Sequence, residues 1–247
     1  MGSVENRLPA ELRFDAPPPQ ALVFEPAGVL YDASPRRRWL WQLVSRLGLK
    51  TSYDEFTATW ASSFLPPALR GERPYAAQLR DFLASLGLSP ADLSEIEAAM
   101  PLRGQPLEAG VRALPGVGRA LARLASQAMN LAVLCDCSLP GNELKEQLDH
   151  LGLGGHFGLV ATSVDLGLTK PAIHNYDTMA AMLNLPPAQC AFISSRRCDL
   201  WGANDAGWQT ISIGATAADA AHKSLMSMAE LADTARHWTC EPARVAG

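Results

Sequence analysis

Apolar residues follow two different spacings along the chain, and each spacing predicts a different kind of structure. The short apolar run Ala21–Phe24 lies in a stretch punctuated by prolines and a glycine, which predicts a buried strand. From Ser34 to Met100 apolar residues recur at helical spacing instead. Ser89-Pro90 opens the last helical segment, with a capping serine and a proline at the first helical position. We therefore expect an all-helical insert after the first strand.

Beyond Pro101, helical segments alternate with short apolar strands. The predicted helices are 117–126, 143–151, 173–183 and 200–206, and the predicted strands are 131–134, 158–161, 191–193 and 210–213. Such strands pair in parallel through right-handed crossovers, because a tight turn cannot join parallel neighbours. The pattern predicts an α/β fold, a Rossmann-like doubly wound parallel sheet with an inserted all-helical cap.

The two patterns also divide the chain into segments. Residues 21–31 together with 105–235 are expected to form the Rossmann-like core domain, and residues 32–104 the helical cap domain. Residues 1–20 and 236–247 are expected to be tails. The N-terminal segment lacks a positive region followed by an apolar stretch, which argues against secretion.

Composition supports a globular protein with a substantial core. The 247 residues are 48% hydrophobic and 19% charged, and the mean hydropathy is zero. The longest apolar runs are far shorter than the roughly 18 residues that indicate a membrane span. We expect no membrane contact.

Charge and cysteine content narrow the partners and the compartment. The net charge is −4 and the one dense basic run, Arg36-Arg37-Arg38, is short, which disfavours nucleic acid as a partner. Five cysteines without a regular framework fit thiols in a reducing compartment, so we expect a cytoplasmic protein. Cys135 and Cys137 could be half of a zinc site, but no second closely spaced pair follows.

Three polar groups follow predicted strands. They are Glu25 after the first strand, Lys170-Pro171 after a later loop, and Ser194-Ser195 with Asp199. Each has an ordinary structural interpretation by itself: a polar residue above the sheet, a solvated helix start and an N-cap. In doubly wound sheets, however, ligands bind outside the carboxyl ends of the strands, where all three groups are expected to converge. This convergence favours a functional site.

The order of these residues resembles the haloacid dehalogenase superfamily of phosphatases, dehalogenases and related hydrolases. The resemblance is carried by residues 22–32, Cys135-Asp136, Thr169-Lys170-Pro171 and residues 192–207. The last stretch is similar to the Ser-Ser-Asn-x-x-Asp-x-x-Gly-Ala-x-x-x-Gly signature of the 2-haloacid dehalogenase branch. The predicted helical insert lies where that family carries its cap.

The resemblance implies roles for particular residues. It implies a catalytic set of Glu25, Lys170, Ser194, Ser195 and Asp199, and a substrate-binding set of Cys135, Asp136 and Arg196 for a small anionic molecule. It also implies a magnesium site made by Glu25, the Ala27 carbonyl and Asp199.

Several positions depart from the family pattern. Glu25 stands where the family has a nucleophilic Asp, and its extra methylene moves the attacking oxygen by about 1 Å, which can cost on the order of 100-fold in rate. Ala27 stands where phosphatases have an acid/base Asp, and Val29 where dehalogenases have Thr. Asp136 replaces an Asn, and we expect it to repel an anionic substrate. Arg196 also replaces an Asn.

Three functional hypotheses follow. The first is a homologue whose catalysis is impaired or lost, a pseudoenzyme. The second is an active hydrolase of a small phosphorylated or halogenated acid that uses Glu25. The third is a non-enzymatic protein that forms a homodimer or binds a protein partner through its cap, whose aromatic residues are Trp39, Trp41, Phe56, Trp60, Phe64 and Tyr75.

Overall fold

The computed structural model describes residues 17–33, 38, 41–42, 44–98 and 111–238. Within them a six-stranded parallel sheet has the order β5-β4-β1-β6-β7-β8. Its strands are β1 (Ala21–Phe24), β4 (Asn130–Cys135), β5 (Leu159–Thr162), β6 (Cys190–Ser194), β7 (Gln209–Ile213) and β8 (Lys223–Leu225). Two short strands outside this sheet, β2 (Tyr31–Asp32) and β3 (Arg112–Ala113), pair antiparallel.

Helices fill the cap region and connect the strands. Between β2 and β3, the described residues form the helices α1 (Tyr53–Thr59), α2 (Leu65–Leu69), α3 (Tyr75–Ser85) and α4 (90–98). Residues 41–42 and 44–46 are also helical. A π-helical segment, Trp60–Phe64, joins α1 to α2. The helices around the sheet are α5 (Val117–Ser126), α6 (Gly141–His150), α7 (Ser163–Leu166), α8 (Ile173–Leu183), α9 (Arg197–Asp205) and α10 (Met228–Trp238). Short 3₁₀ turns cover Gly154–His156, Pro187–Gln189 and Ala215–Ala220.

The sheet is covered on both faces, as the sequence predicts. Successive side chains of a strand point to opposite faces, and in β1 Leu22 and Phe24 join one buried cluster while Ala21 and Val23 join another. Helices α5, α6 and α10 pack on the first face, and α8 and α9 pack on the second. β1 pairs with both β4 and β6, so it lies inside the sheet and its carboxyl end is flanked by two neighbouring strand ends. The predicted doubly wound α/β fold is confirmed.

The described cap residues form a separate buried cluster around Phe56 and Phe82, whose ring centroids are 4.9 Å apart. Trp60 packs against Tyr75 and Phe82, so these aromatic rings are used within the cap. The predicted serine cap of the last helix is present, because Ser89 and Asp92 exchange side-chain and backbone hydrogen bonds. Trp39 lies outside the described residues.

The structure differs from the predicted boundaries in two places. Asp32 is predicted as the first residue of the cap, but it pairs with Arg112 in the antiparallel β2–β3 pair. The segment that the sequence assigns to an all-helical cap therefore begins with a strand residue. Two-residue strands leave too little periodicity to be read from sequence. The predicted C-terminal tail at 236 begins inside α10, whose apolar face packs on α5. The other core–cap boundary, near 105, lies outside the described residues.

None of the helices in the described ranges has the length and apolar character needed to cross a membrane.

Candidate active site at the carboxyl ends of the strands

Glu25 follows β1 directly and is buried, with 3% of its surface exposed. Its backbone N–H donates to the Ile193 carbonyl at 2.9 Å, which continues the β1–β6 ladder for one more residue. Its Oε2 lies 2.8 Å from the Lys170 ammonium, and its Oε1 accepts a long hydrogen bond from the Cys135 thiol at 3.9 Å. Burial raises the pKa of Glu25, and the nearby Asp199 carboxylate adds to this, although Lys170 acts in the opposite direction.

Lys170 is buried at the centre of the site. Its ammonium lies 2.8 Å from Glu25 and 3.1 Å from Asp136 Oδ1, and it donates to the Leu134 carbonyl at 3.4 Å. The ammonium is therefore already engaged by two carboxylates and one carbonyl of the chain. Burial alone would lower the pKa of Lys170, but the carboxylates of Glu25 and Asp136 outweigh it and raise this pKa above its ordinary value.

Asp136 positions Lys170 through two different groups of that residue. The Lys170 backbone N–H donates to both Asp136 oxygens, at 3.1 and 3.2 Å, in addition to the ammonium contact. The sequence predicts that Asp136 faces a substrate. The structure directs the Asp136 carboxylate at Lys170, because a lysine held beside a strand end needs a partner for both its backbone donor and its ammonium. Contact of Asp136 with a substrate stays a prediction.

Asp199 is brought to the site by helix α9. This helix approaches the Lys170-Pro171 loop closely, since a Cβ on Gly202 would lie 2.5 Å from the Pro171 carbonyl oxygen. The Tyr176 hydroxyl donates to the Asp199 carbonyl oxygen at 2.7 Å. The Asp199 side chain is fully buried, and its Oδ2 accepts no hydrogen bond from any described residue, with Arg196 Nε 3.8 Å away.

The two serines serve mainly to shape the backbone in this structure. Ser194 Oγ accepts a hydrogen bond from the Arg196 backbone N–H at 3.0 Å, at the turn into α9. Ser195 lies against the loop after β1, because a Cβ on Gly28 would be 2.8 Å from Ser195 Oγ. Gly28 also has a φ of +82°, a conformation that side-chain-bearing residues rarely adopt. The loops after β1 and β6 therefore fit together only with glycine at this position.

Two thiols complete the site. Cys135 ends β4, and Cys137 follows it at a half-buried position. The Cys137 thiol and burial raise the pKa of Cys135, and the Cys135 thiol lowers the pKa of Cys137. In the structure the Cys137 thiol donates to the Leu139 carbonyl at 3.5 Å. From the sequence, the spacing of Cys137 from Cys135 indicates only half of a zinc site.

The sequence-predicted residues thus converge at one end of the sheet. Glu25, Lys170 and Asp136 are in direct contact, and Asp199 is close enough to influence the pKa values of both Glu25 and Lys170. Arg196 is half-exposed at the rim and faces Asp199. The sequence does not indicate that Tyr176 contacts Asp199, because the apolar spacing of a helix does not show which of its side chains reaches the end of a strand.

The charges of this site are unbalanced. Three carboxylates, from Glu25, Asp136 and Asp199, surround a single buried ammonium. The described residues contain no group of three or more His, Cys, Asp or Glu side chains arranged to hold a metal ion. The arrangement can hold a proton on Glu25 or attract a cation to Asp199, and it offers an anionic substrate little positive charge.

Comparisons with known proteins place this geometry in a family. The family model of the haloacid dehalogenase-like hydrolases matches residues 21–207. No curated protein matches the chain. Among solved structures, the chain is similar to L-2-haloacid dehalogenase from Xanthobacter autotrophicus with chloropropionic acid covalently bound, with 20% identity, a TM-score of 0.62, and coverage of 88% of this chain and 98% of that one.

Two further structures show the same fold. A HAD family hydrolase from Deinococcus radiodurans R1 with bound phosphate and sodium is 21% identical, with a TM-score of 0.64 over 92% of this chain and 99% of that one. The 2-haloacid dehalogenase from Pseudomonas syringae pv. Tomato DC3000 is 18% identical, with a TM-score of 0.61 over 89% of this chain and 99% of that one.

Proposed function

Because the chain belongs to the haloacid dehalogenase-like hydrolase family, we propose that it is a member in which the hydrolytic chemistry is impaired or lost. The proposal concerns only the reaction, because the fold of the family is present. Its support comes from the charges around Lys170 and from the residues at positions 25 and 27.

The occupation of Lys170 is the observation that carries the proposal. A lysine that neutralises an anionic substrate needs at least one ammonium hydrogen directed at that substrate. Here the ammonium is paired with the carboxylates of Glu25 and Asp136 at ion-pair distance and donates to the Leu134 carbonyl, and the side chain is inaccessible to solvent. Two of these acceptors are carboxylates, which would also repel a phosphate or a carboxylate ligand.

The residues that would perform the chemistry add to this support. Glu25 has one oxygen at the Lys170 ammonium and the other at the Cys135 thiol, so both oxygens are already in contact with groups of the chain and neither is directed at a substrate. Ala27 has no group that could protonate a leaving oxygen. Nucleophile and acid are therefore altered in the same loop.

The test is turnover by the purified full chain. We expect no hydrolysis of p-nitrophenyl phosphate and no halide release from 2-chloropropionate above the rate without protein, with or without Mg²⁺. The Glu25→Gln variant is the matched control, because it keeps the shape of the side chain and removes its charge. Wild-type turnover that disappears in Glu25→Gln would overturn the proposal.

Restoring the family residues gives a complementary test. The Glu25→Asp, Ala27→Asp double variant recovers activity only if Asp136 leaves Lys170 available. We expect that pair to stay inactive and the triple variant with Asp136→Asn to be the first to gain phosphatase turnover. A gain that needs no change at Asp136 would contradict the argument from Lys170.

One observation favours an active hydrolase as the second candidate. Burial raises the pKa of Glu25, and a carboxylate with a raised pKa is a stronger base towards water than an ordinary one. In this case Glu25 would act on a small phosphorylated or halogenated acid as nucleophile or as base. A rate that rises with pH and is absent in Glu25→Gln would select this candidate.

Magnesium binding is also part of the proposal. Its support is the buried Asp199 Oδ2, which accepts no hydrogen bond among the described residues. The Ala27 carbonyl would be a second ligand, whereas the Glu25 oxygens face Lys170 and Cys135 and fit this role less well. Bound magnesium would supply positive charge to balance the three carboxylates. We expect Mg²⁺ to raise the melting temperature of the wild type and leave that of Asp199→Asn unchanged.

Association through the cap and a cytoplasmic location stay predictions. The aromatic residues of the described cap pack together, and the exposed large apolar side chains within the described ranges belong to the core domain. Cys135, Cys137, Cys190 and Cys198 are free thiols, which agrees with a reducing compartment. Sedimentation of the wild type beside the Trp39→Ala, Trp60→Ala variant tests the cap: a shared monomeric mass at high concentration would remove this hypothesis.

A further inference from the structure

The two oxygens of the buried Asp199 carboxylate have different surroundings. Oδ1 accepts a hydrogen bond from the Cys198 thiol at 3.3 Å, whereas Oδ2 accepts none from any described residue. The guanidinium of Arg196 faces Oδ2, with its Nε 3.8 Å away. This separation is too long for a hydrogen bond, so Arg196 supplies positive charge to Asp199 but leaves Oδ2 without a donor.

The Arg196 side chain is held weakly in this position. Its Nη2 makes a long contact of 3.9 Å with the Cys198 sulfur, and 53% of the side chain is exposed to solvent. The backbone is fixed more firmly, because the Arg196 N–H donates to Ser194 Oγ at 3.0 Å at the turn into α9. An arginine anchored by its backbone and solvated at its tip can turn its guanidinium towards water without disturbing the fold.

We propose that Arg196 and a divalent cation compete for Asp199 Oδ2. This inference rests on the magnesium site proposed above, and it adds the residue that controls whether that site is filled. A divalent cation carries two charges and bonds directly to carboxylate oxygens, which Arg196 does not do here. The two cations repel each other and use the same oxygen, so one must leave when the other binds.

The competition has consequences for both states of the site. Without a divalent cation, Arg196 is the counter-ion of a carboxylate that burial would otherwise leave without a positive partner on the Oδ2 side. With the cation bound, the guanidinium moves into solvent at the rim. Arg196 therefore stabilises the metal-free protein and weakens its affinity for Mg²⁺.

Arg197 provides a matched control. It is the next residue in the chain, its side chain is exposed to a similar extent, and it pairs with the Asp219 carboxylate at 2.8 Å instead of Asp199. Both arginines carry the same charge close to the start of α9. A general effect of removing positive charge would appear in Arg197→Gln as well, whereas competition at Asp199 would appear only in Arg196→Gln.

The melting temperature of the full chain as a function of Mg²⁺ concentration, at constant ionic strength, tests the competition. Without Mg²⁺, we expect Arg196→Gln to melt below the wild type and Arg197→Gln to melt close to it. Half of the stabilisation by Mg²⁺ should be reached at about tenfold less Mg²⁺ in Arg196→Gln than in the wild type. Arg196→Lys keeps the charge and should resemble the wild type, and Asp199→Asn combined with Arg196→Gln should not respond.

The outcomes separate the competition from the magnesium site itself. Equal half-saturation in the wild type, Arg196→Gln and Arg197→Gln would overturn the competition and leave the magnesium site standing. If Mg²⁺ stabilises none of the proteins, or still stabilises the variant without Asp199, both proposals are wrong. A measurement on the wild type does not depend on the folding of a variant: the Arg196 Nε–H signal in NMR should shift with Mg²⁺ and that of Arg197 should not. An Arg196 signal that stays in place at saturating Mg²⁺ would also overturn the competition.

Discussion

At the scale of single residues, Lys170 holds two buried carboxylates and is therefore the residue whose loss the site tolerates least. Lys170→Met would leave Glu25 and Asp136 without their cation, and removing one partner of a buried ion pair costs about 3–5 kcal/mol. We expect this loss in the free energy of unfolding, measured by urea denaturation at neutral pH.

The same variant should recover stability in acid, since protonation removes the unpaired negative charge. Lys50→Met is the matched control, because Lys50 is exposed, and its unfolding free energy should stay within about 0.5 kcal/mol of the wild type. An equal loss at neutral and acidic pH would indicate that packing of the lysine stem, and not charge, is responsible.

Glu25 should show the opposite pH dependence from an ordinary paired carboxylate. Burial raises its pKa in the folded state, so the folded protein favours the protonated form. A raised pKa means that stability is complete below the unfolded pKa and falls as the pH rises through the folded pKa. We expect Glu25→Gln to be no less stable than the wild type at neutral pH, with an advantage that disappears towards about pH 4.

Urea denaturation of both proteins across this range measures the difference. Lys170 keeps Asp136 as a partner in Glu25→Gln, so no buried charge is left alone. A variant that is less stable than the wild type at every pH would show that the Glu25–Lys170 contact outweighs the cost of burying the carboxylate.

At the scale of elements, the approach of α9 to the Lys170-Pro171 loop depends on Gly202. A Cβ there would lie 2.5 Å from the Pro171 carbonyl oxygen and 2.6 Å from the Pro171 Cβ. Gly202→Ala must push helix and loop apart, and overpacking of this kind typically costs about 1–3 kcal/mol. Gly155→Ala is the control, since a Cβ there meets nothing within 4 Å. Equal unfolding free energies for the two variants would contradict this packing.

The edge of the sheet contains a second pH-sensitive contact. His222 Nδ1 lies 2.7 Å from the Thr210 hydroxyl and accepts from the Thr210 backbone N–H at 3.2 Å, while the His222 backbone N–H donates to the same hydroxyl at 3.0 Å. Burial lowers the pKa of His222, so its contribution to stability is present above the unfolded pKa and is lost as the pH falls through the folded pKa.

Between about pH 7 and pH 5, we expect the wild type to lose more of its free energy of unfolding than His222→Gln does. The difference should be no more than about 1 kcal/mol, because the half-buried ring is partly screened. Hydrogen exchange of the β7 and β8 amides measures it, with His150→Gln on an exposed helix end as the control. Identical pH profiles for wild type and His222→Gln would exclude this role.

At the scale of the whole molecule, the cap and the sheet have separate buried clusters. The cap cluster contains Phe56 and Phe82, and it shares no residue with the two clusters of the core. Phe82→Ala should cost about 3–5 kcal/mol within the cap. We expect hydrogen exchange to speed up in α1 and α3 while the amides of β1 and β4 keep their protection.

Leu124→Ala, which removes buried volume from the core face, is the reciprocal variant. It should speed up exchange in the core strands. Uniform loss of protection across both regions in the Phe82→Ala protein would show that cap and core unfold as one unit.

The sequence alone determined the class of fold and most element positions. β1, α5 and α8 have the predicted bounds, because strong apolar periodicity or a bounded apolar run marks them. It missed β8 and α10, and it did not give the strand order. Register between distant strands is set by packing in three dimensions, and the short β2–β3 pair has too few residues to show a pattern.

For the site, the sequence selected Glu25, Lys170 and Asp199 because each follows a strand at the same end of a parallel sheet. Only the tertiary structure decided what these residues do to one another. It made Asp136 the partner of Lys170 and buried Glu25 enough to raise its pKa. The positions of strands and the residues that follow them can be predicted from spacing, whereas ion pairing and desolvation depend on distances of a few ångströms between residues far apart in the chain.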